Sequence, residues 1–133
     1  MERMNERSNV VTWIEIPVVD MDRAQKFYEA VFDIKMRRIS PPGEEMALFP
    51  SVPNVIQATS GRVSGCLLKS SRAVPSNDGI LIYLNAYPEI QIVIDKVLEY
   101  GGTILVQKTK QFYGFYCVFV DTEGNRLALH SEA

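Results

Sequence analysis

Between Val11 and Phe32 the sequence VTWIEIPVVDMDRAQKFYEAVF reads as one strand turning directly into one amphipathic helix. Successive strand side chains point to opposite faces, so Ile14, Ile16 and Val18 share one side and Trp13, Glu15 and Pro17 the other. Asp20 stands where an N-cap belongs, with Asp22 in the positive first turn. Ala24, Phe27, Tyr28, Val31 and Phe32 then keep the spacing of a buried helical stripe. A helix so placed covers the Ile14/Ile16/Val18 face. Trp13 and Glu15 are left on the side able to line a cavity.

The same arrangement returns in the second half. Ile80–Ala86 alternates, with Ile80, Ile82, Leu84 and Ala86 against Leu81, Tyr83 and Asn85. Pro88 and Glu89 suit a first helical turn, Ile90, Val93, Ile94, Val97 and Leu98 repeat the stripe, and Gly101-Gly102 ends it. Leu81 and Trp13 are roughly 68 residues apart, the period of an internal duplication. Strands are expected after the first helix at Lys35–Ile39, Met46–Phe49 and Val63–Lys69, with Gly65 marking a bulge or a close backbone approach. After the second helix they are expected at Thr103–Gln107, Tyr116–Val120 and Arg126–His130, the last two joined through Thr122-Glu123-Gly124-Asn125.

The predicted fold is therefore α+β, two βαβββ modules forming a curved mixed β-sheet with a cavity between them. Residues 1–9 are expected to be a disordered N-terminal segment and 10–131 a single domain. Within it, module 1 covers about 10–69, a surface linker 70–79, and module 2 about 80–131. The chain's 133 residues suit one such domain.

A formal charge of −2 gives no basic footprint for nucleic acid. No apolar run approaches the length of a membrane span and no signal-peptide core opens the chain, so no membrane partner and a cytoplasmic location are expected. Cys66 and Cys117 sit in apolar strand contexts without metal or redox spacing, and are read as buried free thiols.

Two motifs, V-x-D-x-x-R-A-x-x-F-Y from Val18 to Tyr28 and D-x-E-G-N-R from Asp121 to Arg126, resemble the vicinal oxygen chelate superfamily. This is the group of glyoxalase, bleomycin resistance and extradiol dioxygenase proteins. The resemblance covers about residues 10–131 and implies a glyoxalase-like fold and a homodimer. In that family a divalent cation held by His and Glu residues chelates substrate oxygens. Carried onto this chain, the ligand positions fall at Trp13, near Leu81, at Cys66 or Leu67, and at Ala128, none of which offers an imidazole or a carboxylate. No metal ligand and no cofactor are expected.

The candidate ligand-binding residues are Trp13, Glu15, Tyr83, Asn85, Phe112, Tyr113 and Phe115, and the partner is a small, partly aromatic or apolar molecule. Glu15 reads either as a desolvated acid able to exchange a proton or as a carboxylate satisfied by backbone donors, Arg126 or tyrosines. His130, the only histidine, shares the cavity side with Arg126 and Ala128 and is either an acid/base group or a rim residue. Tyr83 and Asn85 either orient a ligand or close the cavity. Lys110–Tyr116 (KQFYGFY) reads as an aromatic loop with a hinge at Gly114, either a lid or a dimer contact. Two functions stay open, beside a third possibility that side chains fill the cavity and the fold serves only as an interaction partner. One is a metal-free binding protein. The other is an enzyme of lyase, isomerase or dioxygenase type, with Glu15 as general base, Tyr83 as proton donor and His130 as a further candidate, or metal-dependent with its ligands elsewhere.

Overall fold

The computed structural model describes residues 3–133, so Met1 and Glu2 of the expected N-terminal segment lie outside the described residues. Chain order is β1 (Trp13–Pro17), α1 (Met21–Phe32), β2 (Arg37–Ile39), β3 (Glu45–Leu48), β4 (Ser64–Lys69), β5 (Tyr83–Asn85), α2 (Ile90–Glu99), β6 (Thr103–Gln111), β7 (Gly114–Val120) and β8 (Arg126–Ser131). The strands form two four-stranded mixed sheets, ordered β1-β4-β3-β2 and β5-β8-β7-β6. In each sheet the first strand pairs in parallel with the last of its module and the remaining pairs are antiparallel. This is the two-module βαβββ fold that the repeat predicts. Asn9, in the N-terminal segment, is tied to the loop before β4 through Gln57, Ala58 and Gly61.

Helix α1 begins as its sequence dictates. Asp20 is extended, and its side chain accepts a hydrogen bond from the Arg23 amide at 3.0 Å. Its buried stripe is Met21, Ala24, Phe27, Tyr28 and Val31, while α2 buries Ile90, Val93, Ile94 and Val97. Both stripes join Ile16, Leu67, Phe119, Leu127 and Leu129 in one core shared by the modules. Pro88 stands outside α2, and Glu89 is its N-cap without a side-chain bond. The Ile90 amide is instead taken up by the main-chain oxygen of Ala133 at 3.0 Å.

Two segments differ from expectation. The Lys110–Tyr116 stretch is a strand pair with a two-residue turn at Phe112-Tyr113, because Lys110 pairs with Phe115 and Gln111 with Gly114. Gly114 is a packing residue as well as a turn residue. Its φ is +122°, and a Cβ there would lie 2.2 Å from the Ser131 carbonyl oxygen. Strand β5 is shorter than Ile80–Ala86, although Ile82 still accepts from the Ala128 amide at 2.9 Å. Gly65 does mark a close approach, since an added Cβ would sit 2.0 Å from the Ile14 carbonyl oxygen across the β1–β4 pair. Gly65→Ala is expected to pry β1 from β4 and lower stability by about 2 kcal/mol or more, measured by urea unfolding.

The Asp121–Asn125 turn fastens the modules together. The buried Glu123 carboxylate accepts from the amides of Val19 and Asp20, each at 2.8 Å, and from Arg23 Nε at 2.7 Å. Tyr28 donates its hydroxyl to Asp121 at 2.7 Å, and Asn125 Nδ2 donates to the Pro17 carbonyl at 2.7 Å. Burial alone would raise the Glu123 carboxyl, but Arg23 and the two main-chain amides outweigh it and hold it at about 2. A depressed carboxylate stabilises the fold above its ordinary value of 4.5, and that contribution disappears as pH falls from there toward 2. The size expected for Glu123 is about 3 kcal/mol. Glu123→Gln is predicted to remove a similar amount at neutral pH and to flatten the acid limb of a stability-versus-pH curve.

Candidate functional site

Each sheet turns one face to the helices and the other away from the core. Register settles which residues share the outward faces. On the first sheet, Trp13, Glu15 and Pro17 lie beside Ser64, Cys66 and Leu68, with Met46 and Leu48 next across. On the second, Tyr83 and Asn85 lie beside Ala128 and His130, with Tyr116 and Val118 beyond. Trp13 is 46% exposed and Tyr83 51%, so each face is open at its edge strand, whereas Cys66, Leu68 and Ala128 farther in are fully buried. The modules meet instead through α1, α2 and the Asp121–Asn125 turn.

The proposed site residues therefore form two groups. Among the described residues, no hydrogen bond, ion pair or ring contact joins Trp13 or Glu15 to Tyr83, Asn85 or His130. In the first group, Glu15 accepts from Trp13 Nε1 at 3.3 Å and pairs with Arg72, whose Nη1 is 3.1 Å from Oε1. Arg72 also grips Glu44 through Nε at 2.6 Å, and Glu44 accepts from Ser70 at 2.7 Å. Those hydrogen bonds hold the Glu44 carboxyl below its ordinary value, and the two carboxylates raise the Arg72 guanidinium. The linker after β4 thus straps a cation onto Glu15. Arg126, considered as a partner for Glu15 from the sequence, donates elsewhere, to the Gly79 carbonyl at 2.7 Å.

In the second group, the Tyr83 and Tyr116 rings lie 6.3 Å apart at 57°. His130 Nε2 is 2.9 Å from the Tyr113 carbonyl oxygen, which ties the β6–β7 turn to the outward face. Asn85 turns its side-chain oxygen to the Tyr87 amide at 2.9 Å. Phe112 is fully exposed and Tyr113 80% exposed at the turn, whereas Phe115 packs on the core with the Lys108 ammonium 4.5 Å from its ring centroid. Tyr116 was not singled out from the sequence. Its signal was there, since it alternates onto the same face as its cross-strand neighbour His130. Arg72 gave no such signal, because its linker has no periodicity.

Cys66 and Cys117 are free and buried. Burial pushes both thiols up to about 11, helped at Cys66 by the Glu15 carboxylate. Among the described residues no three His, Cys, Asp or Glu side chains come together in a way that could hold a metal ion, and no helix is long and apolar enough to cross a membrane.

Residues 10–129 match the Glyoxalase/Bleomycin resistance protein/Dioxygenase superfamily. The chain belongs to that superfamily. Its structure is similar to a hypothetical protein from S. aureus (TM-score 0.64, 17% identity, 90% of this chain and 94% of that one). It is also similar to glyoxalase I from Zea mays (TM-score 0.62, 18% identity, 91% of this chain), of which it spans only 45%. A third likeness is to TnmS3, an antibiotic binding protein from Streptomyces sp. CB03234 (TM-score 0.61, 14% identity, 94% and 97% covered). At these identities the likenesses concern the fold. No curated protein sequence matches the chain.

Within this superfamily member the two thiols make a simple check on the outward face. Neither Cys66 nor Cys117 is expected to react with a disulfide reagent such as DTNB near neutral pH in the native protein, and both should react on unfolding. Prompt modification of Cys66 in the folded state would show that the outward face is open to that depth, whereas Cys117 lies on the core side of β7.

Proposed function

We propose that the chain is a homodimeric, metal-free binding protein for a small, partly aromatic or apolar molecule. The observation that carries this reading is the placement of Trp13 on β1 and Tyr83 on β5, each exposed on the outward face of an edge strand. Aromatic side chains left in solvent beside polar groups are the usual makings of a ligand wall. A second copy that sets one outward face against the other sheet's face would close a hollow lined by Trp13, Glu15, Tyr83 and Asn85. The Phe112-Tyr113 turn, with Phe115 behind it, would stand at its mouth. Free thiols at Cys66 and Cys117 suit the reducing cytoplasm.

The donor set does not fit the family's cation. Trp13 and Ala128 carry no ligating atom, Leu81 and Leu67 are hydrocarbon, and the Cys66 thiol is held protonated by burial. Glu15 supports binding over proton transfer, because its oxygens are already engaged by Arg72 and the Trp13 indole. An antibiotic binding protein is built on the same fold.

A neutral probe, 1-naphthalenemethanol, tests this by calorimetry beside sedimentation analysis. Saturable binding to a dimer, unchanged by EDTA and weakened about tenfold by Tyr83→Ala, is the expected result. Absence of binding, or binding abolished by the chelator, rejects the reading.

A further inference from the structure

We propose that two copies of this chain associate through the cleft between the modules on the helix side of β1 and β5, with Asp33 of each copy set against Lys96 of the other. This rests on the homodimer reading above and adds to it the contact surface and the choice of axis.

The inference starts from a core left unfinished on one side. A cleft of about 620 Å³ opens between the modules, bounded by β1 and the end of α1 from the first and by β5 and α2 from the second. Among the half-buried hydrophobic residues that pack on the core, Ile14, Phe32, Ile34, Phe49 and Leu84 line it, and only Ile104 and Phe115 do not. Half-exposed Ile92 and largely exposed Tyr87 carry the apolar lining outward. Such a surface, uncovered on a single chain, favours association. Its polar groups offer a small polar molecule little, since the Ser64 hydroxyl donates to the Phe49 and Pro50 carbonyls and Asn85 turns its oxygen to the Tyr87 amide.

The charges choose the occupant. Asp33 and Lys96 are the only charged side chains lining the cleft, one at the cap of α1 and one in the last turn of α2. Among the described residues neither forms an ion pair or a side-chain hydrogen bond, with the other or with a third group. A small neutral molecule would leave both as they are, and a small ion would satisfy one and face the other. A twofold contact is self-complementary, because what one copy offers its partner offers in reverse. Two copies placed cleft to cleft can turn about an axis that sets like charges opposite, or about one that sets Asp33 on Lys96 twice. Only the second is free of repulsion. An apolar centre with charge at its rim is also the usual anatomy of a protein contact. Seated there, a second copy meets the free edges of β1 and β5, where the outward faces carrying Trp13 and Tyr83 begin.

Sedimentation equilibrium on the intact protein tests this, with circular dichroism to check that each variant is folded. The wild type is expected to dimerise. Lys96→Glu and Asp33→Lys should each weaken the dimer about tenfold, and the two together should return it to within about threefold of wild type. Ile92→Glu, which puts a carboxylate into the apolar centre, should weaken it about a hundredfold or more. Asp33 holds a left-handed backbone at φ 52°, so if Asp33→Lys does not fold, added salt decides. Salt should weaken the wild-type dimer several-fold and strengthen that of Lys96→Glu. An equal salt response, or single reversals that the double variant does not repair, overturns the Asp33–Lys96 pairing. A dimer indifferent to Ile92→Glu and to both reversals overturns this surface while the homodimer stands. A monomer at every concentration overturns the homodimer reading and this proposal with it, and 1-octanol binding lost in Ile92→Glu would then give the cleft to a small apolar molecule.

Discussion

A single carboxylate governs how the two halves of this protein sit together. Glu123 lies in the turn between β7 and β8 of the second module, yet both its oxygens are spent on the first, on the amides that open α1 and on Arg23. The amides at a helix start are unsatisfied donors by construction, and the helix dipole favours an anion there. One turn of module 2 thus completes the N-terminus of α1. Tyr28 to Asp121 and Asn125 to Pro17 extend the same seam. Because most of these bonds end on a carboxylate shielded from water, they set the relative placement of the modules more firmly than apolar contact alone would.

That seam decides which surfaces remain for function. With α1 and α2 between the modules and the turn locked against β1, the edge-strand residues Trp13 and Tyr83 are left exposed on separate faces. Trp13 and Glu15 end up on one face, Tyr83, Tyr116 and His130 on the other. β1 and β5, the strands that carry the first residues of each group, are edges. Residues that the sequence pattern gathers into one hollow lie on two separate faces of this chain.

The two faces differ in electrostatics, although the modules repeat one topology. On the first sheet, Glu15, Glu44 and Arg72 balance one another through the strap after β4. On the second, Arg126 forms no ion pair among the described residues and donates to the Gly79 carbonyl instead, with two tyrosines and a histidine on the same face. The two modules share a topology and buried helical stripes, where volume and hydrophobicity are constrained. Outward positions carry no such constraint, so their charges can diverge.

Much of the fold was legible in the residues themselves. The period-two alternation of β1, the Asp20 cap, the helical stripes and the repeated strand–helix opening are properties of neighbouring residues and are present, except that Leu98, expected in the second stripe, is exposed. Face assignments within a strand followed by the same logic, so Glu15 lies with Trp13 and Tyr83 with Asn85. Less was legible in the Lys110–Tyr116 stretch, where cross-strand pairing with β7 and the close approach of Gly114 to Ser131 make a hairpin of an apparent loop. Only the tertiary structure decided that Arg72 meets Glu15, that Glu123 turns inward, and that Arg126 reaches the Gly79 carbonyl. Those outcomes depend on groups some 50 to 100 positions apart reaching one another. Local sequence carries periodicity and capping, but such distant pairings exist only once the chain has packed.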